Sequence, residues 1–286
     1  MTLEDRPPIC DMPPPQWGNR QLRRLGEAIR DDVDAPAGGP SYGDVMLWYD
    51  ELAAAVQAAL RELDWISLLA ERPPPEISSR AKTIDTLRDK LRRDHRTPLS
   101  SIQDVAGVRF ECEMTLEEQD VVALAIAQAF GQDVTAIHDI RASPRCGYRA
   151  VHVWLRLARG RVEVQVRTHM QGAWANAYEA LADALGRGIR YGEPPNVDVR
   201  EAHDMVHRLQ EISTDNVARL EGRRQQLATL QLQMGLTDGV LESRQSPVSH
   251  AVSDSIATAW QDLRRDEQLV MEMLRGVEEI MRSVRR

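Results

Sequence analysis

Two acidic residues and a group of basic residues in the middle of the chain could together handle a polyphosphate. Asp104 directly precedes a stretch that alternates like a β-strand, and Glu163 lies within another such stretch. Carboxylates from separate strands can hold Mg²⁺, which usually takes one or two carboxylates together with the phosphates of its substrate. The basic residues that could neutralise a polyphosphate opposite these carboxylates are Arg80, Lys82, Lys90 and Arg93. This set indicates a phosphoryl- or pyrophosphoryl-transfer site, where positioning and charge stabilisation supply most of the catalysis.

The charge pattern also indicates a local site for an anion. The chain of 286 residues has a net charge of −8, yet residues 80–168 carry 15 basic and 12 acidic side chains. Among the 36 basic residues of the whole chain, only Lys82 and Lys90 are lysines. A compact ammonium group fits where a planar guanidinium does not, so we expect both lysines to contact the anion. A basic segment inside an acidic protein does not indicate a general nucleic-acid surface.

The helices that would position these residues are visible as apolar periodicity. Apolar residues recur at three- and four-residue steps from Tyr42 to about Ala70, which predicts a helix that ends before the prolines at 73–75. A second helix is predicted from Ser78 or Ser79 to about Asp94, because serine is a good helix cap. On that helix Lys82, Lys90 and Arg93 would share the face opposite an apolar stripe formed by Ile84, Leu87 and Leu91.

Alternating residues then predict a sheet. Strands are expected at 108–112 and 133–140, helices at 116–130 and 170–185, and a β-hairpin at 151–157 and 162–167. One face of the hairpin is apolar, and the other carries polar residues that include His152, Glu163, Gln165 and Arg167. Trp154 and Trp174 are interpreted as core residues. The predicted fold is α+β, a mixed sheet with flanking helices and a C-terminal helical extension.

The two ends of the chain differ from this core. Residues 1–41 contain proline- and glycine-rich stretches and are expected to be mostly flexible, with a short helix near Gln21–Arg30. Residues 193–286 are expected to be helical. Apolar residues from Ile256 to Val284 follow a 4-3 spacing that is broken at Glu267. That seam either packs within the chain or assembles with another copy or partner, and a homo-oligomer through these helices is one of the two hypotheses.

Several classes of protein are excluded by composition. The chain has three cysteines, an odd number, and they are widely spaced: Cys10, Cys112 and Cys146. This argues against a disulfide framework or a zinc ribbon. The acidic start has no signal-peptide pattern, and no apolar run approaches the roughly 20 residues of a membrane span. We therefore expect a soluble protein of the cytoplasm that does not bind a membrane.

Four motifs in order carry a family resemblance. These motifs resemble the synthetase domain of the RelA/SpoT family, and in particular the small alarmone synthetases. They read SRAKTIDTLRDKLRR, DVAGVRF, GYRAVH and EVQVRTHMQGAWA. The resemblance spans roughly 42–192, so the expected organisation is a flexible segment at 1–41, the synthetase domain at 42–192 and the helical extension at 193–286. It implies a nucleotidyltransferase-like core.

The resemblance also implies an activity and roles for individual residues. The β,γ-pyrophosphoryl group of ATP would move to the ribose 3′-hydroxyl of GDP or GTP, with Mg²⁺ as cofactor. Asp104 would bind the metal, and Glu163 would be a second ligand or the base. Four residues would bind ATP: Arg80, Lys82, Lys90 and Arg93. Three would lie near the acceptor: Arg145, Tyr148 and His152. Gln165 and Arg167 would support the site.

Two other functions stay open. The loop at 143–146 reads Ser-Pro-Arg-Cys where the family usually has a lysine, and helices follow the domain. Both features favour a toxic relative of the same fold, which would pyrophosphorylate tRNA 3′ ends or adenine nucleotides and be neutralised by an antitoxin. The third hypothesis is an inactive nucleotide-binding module, against which the Asp104 and Glu163 pair argues.

Overall fold

A five-stranded sheet carries most of the predicted site. The computed structural model describes residues 12–69, 72–158, 160–238 and 247–284, without the side chains of 80, 81, 236–238 and 247–250. The strands are β1 (Glu76–Ala81), β2 (Ala106–Cys112), β3 (Ile137–Asp139), β4 (Val151–Arg156) and β5 (Arg161–Thr168), in the spatial order β1-β2-β5-β4-β3. The predicted α+β class, a mixed sheet with flanking helices, is confirmed.

Nine helices are present among the described residues. They are α1 (Asn19–Asp31), α2 (Tyr42–Arg61), α3 (Ile66–Leu69), α4 (Ile84–Arg93), α5 (Leu116–Ala129), α6 (His169–Leu185), α7 (Arg200–Glu211), α8 (Ala218–Asp238) and α9 (Pro247–Val284). A π-helical turn, Ile212–Val217, joins α7 to α8. None of the helices in the described ranges has both the length and the apolar content needed to cross a membrane.

The hairpin of β4 and β5 forms as its alternation predicts. Its inward residues are buried apolar side chains: Val151, Val153, Leu155, Val162, Val164 and Val166. The antiparallel register places His152 opposite Gln165 and Trp154 opposite Glu163. Side chains directly opposite on one face lie close enough to interact. The polar residues therefore form one continuous cluster over the sheet.

The structure corrects the predicted helix at 78–94. Residues 76–81 form β1, which pairs with β2 so that Ser79 lies opposite Val108. The Ile77 carbonyl also accepts hydrogen bonds from Gln57 and Arg61. These tertiary hydrogen bonds outweigh the capping preference of serine. Helix α4 therefore begins only after Thr83, and Lys82 lies before the helix instead of on its cationic face.

Other boundaries near the N-terminus also differ from the sequence prediction. The expected helix near 21–30 is present as α1, which buries Leu22, Leu25 and Ile29, so this part of the segment is packed and not flexible. Residues 1–11 of the predicted flexible segment lie outside the described residues. Helix α2 ends at Arg61, eight to nine residues early, and Ile66 is exposed. The strand expected at 133–140 is reduced to Ile137–Asp139 by a preceding 3₁₀ turn.

The chain divides into two compact units. The first unit contains Met1–Cys112, Val121–Asp139 and Val151–Val166, and the second contains Glu113–Asp120, Ile140–Ala150 and Arg167–Arg286. The boundaries expected at 41/42 and 192/193 do not coincide with this division and stay a prediction.

The middle of the apolar seam of α9 packs inside the second unit. Leu263 and Leu274 are fully buried, and Leu274 packs in one cluster with Trp174. Glu267, which breaks the seam, forms a bidentate ion pair with Arg224 of α8 at 2.9 and 2.6 Å. The interruption is thus a buried charge pair, and this part of the seam packs within the chain.

Candidate active site

The two lysines of the chain converge on one carboxylate in the first unit. Lys82 Nζ lies 2.7 Å from Oδ2 of Asp104, and Lys90 Nζ lies 2.6 Å from Oδ1. Lys82 occupies the connection after β1, where its N–H donates to the Val105 carbonyl. Lys90 reaches the same carboxylate from α4. Three of the predicted site residues are therefore brought together by separate elements.

This cluster has a net positive charge. Two ammonium groups face the single carboxylate of Asp104, whose side chain is only 21% exposed. Partial burial reduces screening by water, so these charges act more strongly than exposed ones. The unbalanced positive charge suits a phosphate group.

The other two residues predicted for ATP are Arg80 and Arg93. The backbone of Arg80 pairs with Gly107 in the sheet, and its side chain lies outside the described residues. Arg93 is an exposed residue at the end of α4, and its Nε donates to the Asp89 carbonyl at 3.2 Å. Their roles toward ATP stay predictions.

Glu163 is held by three side chains of the hairpin. Its Oε1 lies 3.1 Å from His152 Nδ1 and accepts a hydrogen bond from Trp154 Nε1 at 3.2 Å. Its Oε2 accepts from Gln165 Nε2 at 2.8 Å. The residue is 6% exposed, so the carboxylate is fixed in position by these donors. His152, which was expected near the acceptor, and Gln165 both contact Glu163.

Glu163 stays ionised at neutral pH. Burial alone would raise its pKa, but the charge of His152, hydrogen bonds from His152 and Gln165, and the charge of Lys82 together lower the pKa to about 2. Lys82 therefore acts on both carboxylates: it pairs with Asp104 and stabilises the charge of Glu163. The two acidic residues of the predicted site are linked through this lysine.

His138 extends the cluster to the edge strand β3. Its ring lies 3.8 Å from that of Trp154, centroid to centroid, and the register places it opposite His152. Burial lowers the pKa of His138, and the charges of His152 and Arg156 lower it further. His138 carries no prediction for the site, and Trp154 is predicted to be a core residue. The alternation of residues along β4 could have indicated Trp154, because it places Trp154 on the same polar face as His152.

The remaining acceptor residues lie in the second unit. A tight turn links Arg145 to Tyr148, whose N–H donates to the Arg145 carbonyl at 3.0 Å. Arg167 donates from Nη2 to the Tyr148 hydroxyl at 2.8 Å, and its guanidinium carbon lies 5.3 Å from the ring centroid. Arg145 donates to the Tyr191 carbonyl at 3.3 Å. The predicted pair Tyr148 and Arg167 is thus in contact, with the arginine over one face of the ring.

The donor atoms for Mg²⁺ are of the right kind. Among the described residues no group of three or more acidic, histidine or cysteine side chains is arranged around a metal position. Two carboxylates with substrate phosphates are nevertheless a usual set for Mg²⁺. Asp104 already holds two cationic groups, which shows that its position tolerates positive charge at both oxygens. Asp104 and Glu163 therefore fit the ion by their chemistry.

Comparison with known proteins places the chain in a family. The sequence model described as "Region found in RelA / SpoT proteins" matches residues 79–185, which include the lysine cluster and the hairpin. Uncharacterized proteins of Mycobacterium tuberculosis (strain H37Rv) and Mycobacterium bovis are each 50% identical over 208 residues, covering 70% of this chain and 74% of the relative.

Solved structures show the same fold. Small alarmone synthetase 1 of Bacillus subtilis superposes with a TM-score of 0.51 at 20% identity, covering 67% of this chain and 98% of that one. Small alarmone synthetase 2 of the same organism gives a TM-score of 0.51 at 18% identity, over 66% of this chain and 98% of that one. The sheet and its flanking helices are therefore similar to those of alarmone synthetases.

Proposed function

Because the chain belongs to the RelA/SpoT family and has a synthetase domain of the small alarmone synthetase type, we propose that it is a pyrophosphotransferase. The ribose 3′-oxygen of GDP or GTP attacks the β-phosphorus of ATP. The bond between that phosphorus and the oxygen it shares with the α-phosphorus breaks. AMP leaves, the 3′-hydroxyl loses its proton, and the acceptor gains a 3′-diphosphate. The products are guanosine tetra- or pentaphosphate.

The observation that carries this proposal is the convergence of both lysines on Asp104 beside a buried, ionised Glu163. An ATP polyphosphate would draw the ammonium groups of Lys82 and Lys90 away from Asp104. Phosphoryl transfer depends on such positioning and on neutralising charge that develops in the transition state. Without ATP, the two lysines stay paired with the carboxylate, whose negative charge offsets their mutual repulsion.

Asp104 and Glu163 would together hold Mg²⁺. The bound ion would neutralise charge on the phosphates of ATP. In the structure the two lysines occupy the oxygens of Asp104. The phosphates of ATP would attract these lysines, and the oxygens of Asp104 would then be available to the ion.

Glu163 would orient the 3′-hydroxyl and receive its proton. A pKa of about 2 keeps the group ionised but makes it a weak base by itself, since a base is most effective near the working pH. His152 Nδ1, 3.1 Å from Oε1, already donates to this carboxylate, and the charge of His152 helps to keep the carboxylate ionised. Glu163 and His152 would therefore act as one unit, with Trp154 and Gln165 fixing the carboxylate.

The test is transfer from γ-labelled ATP. Purified protein with Mg²⁺ receives GDP, GTP, AMP or deacylated tRNA in separate reactions, and products are separated by chromatography. Labelled guanosine tetra- or pentaphosphate with stoichiometric AMP supports the proposal. Release of labelled orthophosphate alone, or no transfer to any acceptor, contradicts it.

The reactions with tRNA and AMP test the second candidate function, that of a toxic relative which pyrophosphorylates tRNA 3′ ends or adenine nucleotides. The loop at 143–146 reads Ser-Pro-Arg-Cys where the family usually has a lysine, so the acceptor site differs from the family pattern at this point. Transfer to tRNA or AMP, without transfer to guanine nucleotides, would identify the toxic relative. A neutralising antitoxin would then be the expected partner.

A further inference from the structure

The turn that carries Tyr148 has an unusual backbone. Cys146 has a φ of +51° and Gly147 a φ of +83°, so two successive residues adopt left-handed conformations. For a side chain such as cysteine this region costs roughly 1–3 kcal/mol, and it persists only where surrounding structure enforces it. The contacts of this turn within the second unit identify what enforces it.

The π-helical turn between α7 and α8 holds one side of the turn. Ser213, only 1% exposed, donates from Oγ to the Gly147 carbonyl at 2.5 Å. A Cβ on Gly147 would lie 2.8 Å from the Trp174 ring and 3.1 Å from the Gln210 Cα, so the turn is packed directly against both. Trp174 Nε1 in turn donates to the Leu209 carbonyl. π-Helical segments inside helices are frequent at functional sites.

Helix α8 holds the other side through Glu221. This carboxylate is 2% exposed, and its Oε2 accepts from Arg149 Nη2 at 2.8 Å. Its Oε1 accepts from the Thr168 hydroxyl at 2.7 Å and from Gln171 Nε2 at 2.8 Å. Arg149 follows Tyr148 directly, and Thr168 follows Arg167. The carboxylate of Glu221 therefore fixes Arg149 and Thr168, the residues that directly follow Tyr148 and Arg167.

We propose that Ser213 and Glu221, both in the C-terminal helical extension, are positioning residues for acceptor binding. This inference rests on the proposed function, because it assumes that Tyr148 contacts the acceptor. Neither residue touches a substrate: each acts through the turn, Ser213 at Gly147 and Glu221 at Arg149. The class of ligand concerned is a purine nucleotide with a free 3′-hydroxyl.

The test compares Ser213→Ala and Glu221→Gln with wild type in steady-state transfer. We expect KM for the guanine acceptor to rise about tenfold in each variant, while KM for ATP stays within about twofold, since small displacements of a positioning group cost up to roughly 100-fold. Hydrogen exchange of the peptide at 141–150 should become faster in both variants. A role limited to stability would not separate the two KM values.

Glu267→Gln is the matched control. Glu267 is also a buried glutamate paired with a buried arginine of the second unit, Arg224, but within the described residues its carboxylate bonds to α8 and not to the turn. It should lower the melting temperature without changing the acceptor KM or exchange at 141–150. Unchanged acceptor KM in Ser213→Ala and Glu221→Gln, with transfer intact, overturns the positioning role and leaves the proposed function standing. A wild-type protein that transfers to no acceptor overturns both.

Discussion

At the scale of single residues, the choice of lysine at two positions follows from the geometry around Asp104. Each ammonium group places one charge within 2.7 Å of a different carboxylate oxygen. A guanidinium is planar and wider, and it binds a carboxylate with two parallel hydrogen bonds. Two guanidinium groups would compete for both oxygens of the same carboxylate. The position therefore requires compact cations in a chain that otherwise uses arginine.

Lys82→Arg tests this requirement while keeping the charge. We expect kcat/KM for ATP to fall by about tenfold or more, because the guanidinium misplaces the positive charge at the phosphates. The measurement is steady-state transfer at varied ATP. Arg23→Lys, in an exposed i,i+4 pair with Glu27 on α1, is the control for the same exchange of groups and should have no effect. Equal kcat/KM in Lys82→Arg and wild type would show that any cation suffices.

His138 gives a prediction about pH. Its pKa is lowered in the folded state, so the unfolded chain binds more protons near pH 6. Stability from the neutral ring is therefore present above the unfolded pKa of about 6.5 and is lost as pH falls below it. We expect the melting temperature to drop between pH 7.5 and 5.5, and to drop less in His138→Gln. Glu163 does not cause a drop in this range, because its folded pKa of about 2 and its ordinary value of 4.5 both lie below pH 5.5. An equal drop in both proteins would refute the prediction for His138.

At the scale of elements, the turn from Arg145 to Tyr148 depends on a glycine. In Gly147→Ala the new Cβ would meet the Trp174 ring at 2.8 Å and would also carry the cost of a positive φ. We expect a loss of about 2–4 kcal/mol in the free energy of unfolding, from the strained backbone and the overpacked methyl. Chemical denaturation measures it.

Gly131→Ala is the control for this prediction. Gly131 also has a positive φ, of +66°, but nothing lies within 4 Å of its added Cβ. It should lose only about 1 kcal/mol, the cost of the backbone conformation alone. If both variants lose the same amount, the contact of Gly147 with Trp174 does not constrain the turn.

The elements also show how far the sequence was informative. The β4–β5 hairpin was predicted because six apolar residues alternate with polar ones, a pattern that local physics fixes. Strand β1 was missed because Ser78 and Ser79 have the chemistry of helix caps, and only pairing with β2 makes this segment extended. Lys82, placed on a helix face by that error, still reaches Asp104. Contacts between distant elements, such as Glu221 with Arg149, left no periodic signal at all.

At the scale of the whole molecule, helix α9 is an integral part of the second unit. Leu274 is fully buried in a cluster with Trp174, Tyr178 and Leu181 of α6. We expect Leu274→Ala to lower the free energy of unfolding by about 2–5 kcal/mol, because the cavity adds to the lost burial. Ile280→Ala, at a residue that is 58% exposed on the same helix, should stay within about 0.5 kcal/mol of wild type. Denaturation curves that coincide for Leu274→Ala and wild type would mean that α9 does not pack here in solution.

The C-terminal extension is therefore connected to the rest of the second unit in two ways: α9 completes its apolar core, and α8 reaches the turn that carries Tyr148. The exposed apolar residues of α9 include Leu269, Met273 and Ile280, which are not seam positions, and Val284 at the end of the seam. Assembly of copies through these helices stays a prediction, and light scattering on the full chain addresses it.

The central claim is that this chain transfers pyrophosphate at a site organised by Glu163. Glu163→Gln is nearly isosteric, and Glu76→Gln, at an exposed position on the edge strand β1, is its control. Both are assayed with γ-labelled ATP, Mg²⁺ and GDP or GTP, with circular dichroism to verify folding. The account predicts that wild type and Glu76→Gln form labelled guanosine tetra- or pentaphosphate, and that Glu163→Gln is slower by at least about 100-fold because the ionised carboxylate is lost. A folded Glu163→Gln protein with activity within about threefold of wild type would contradict it.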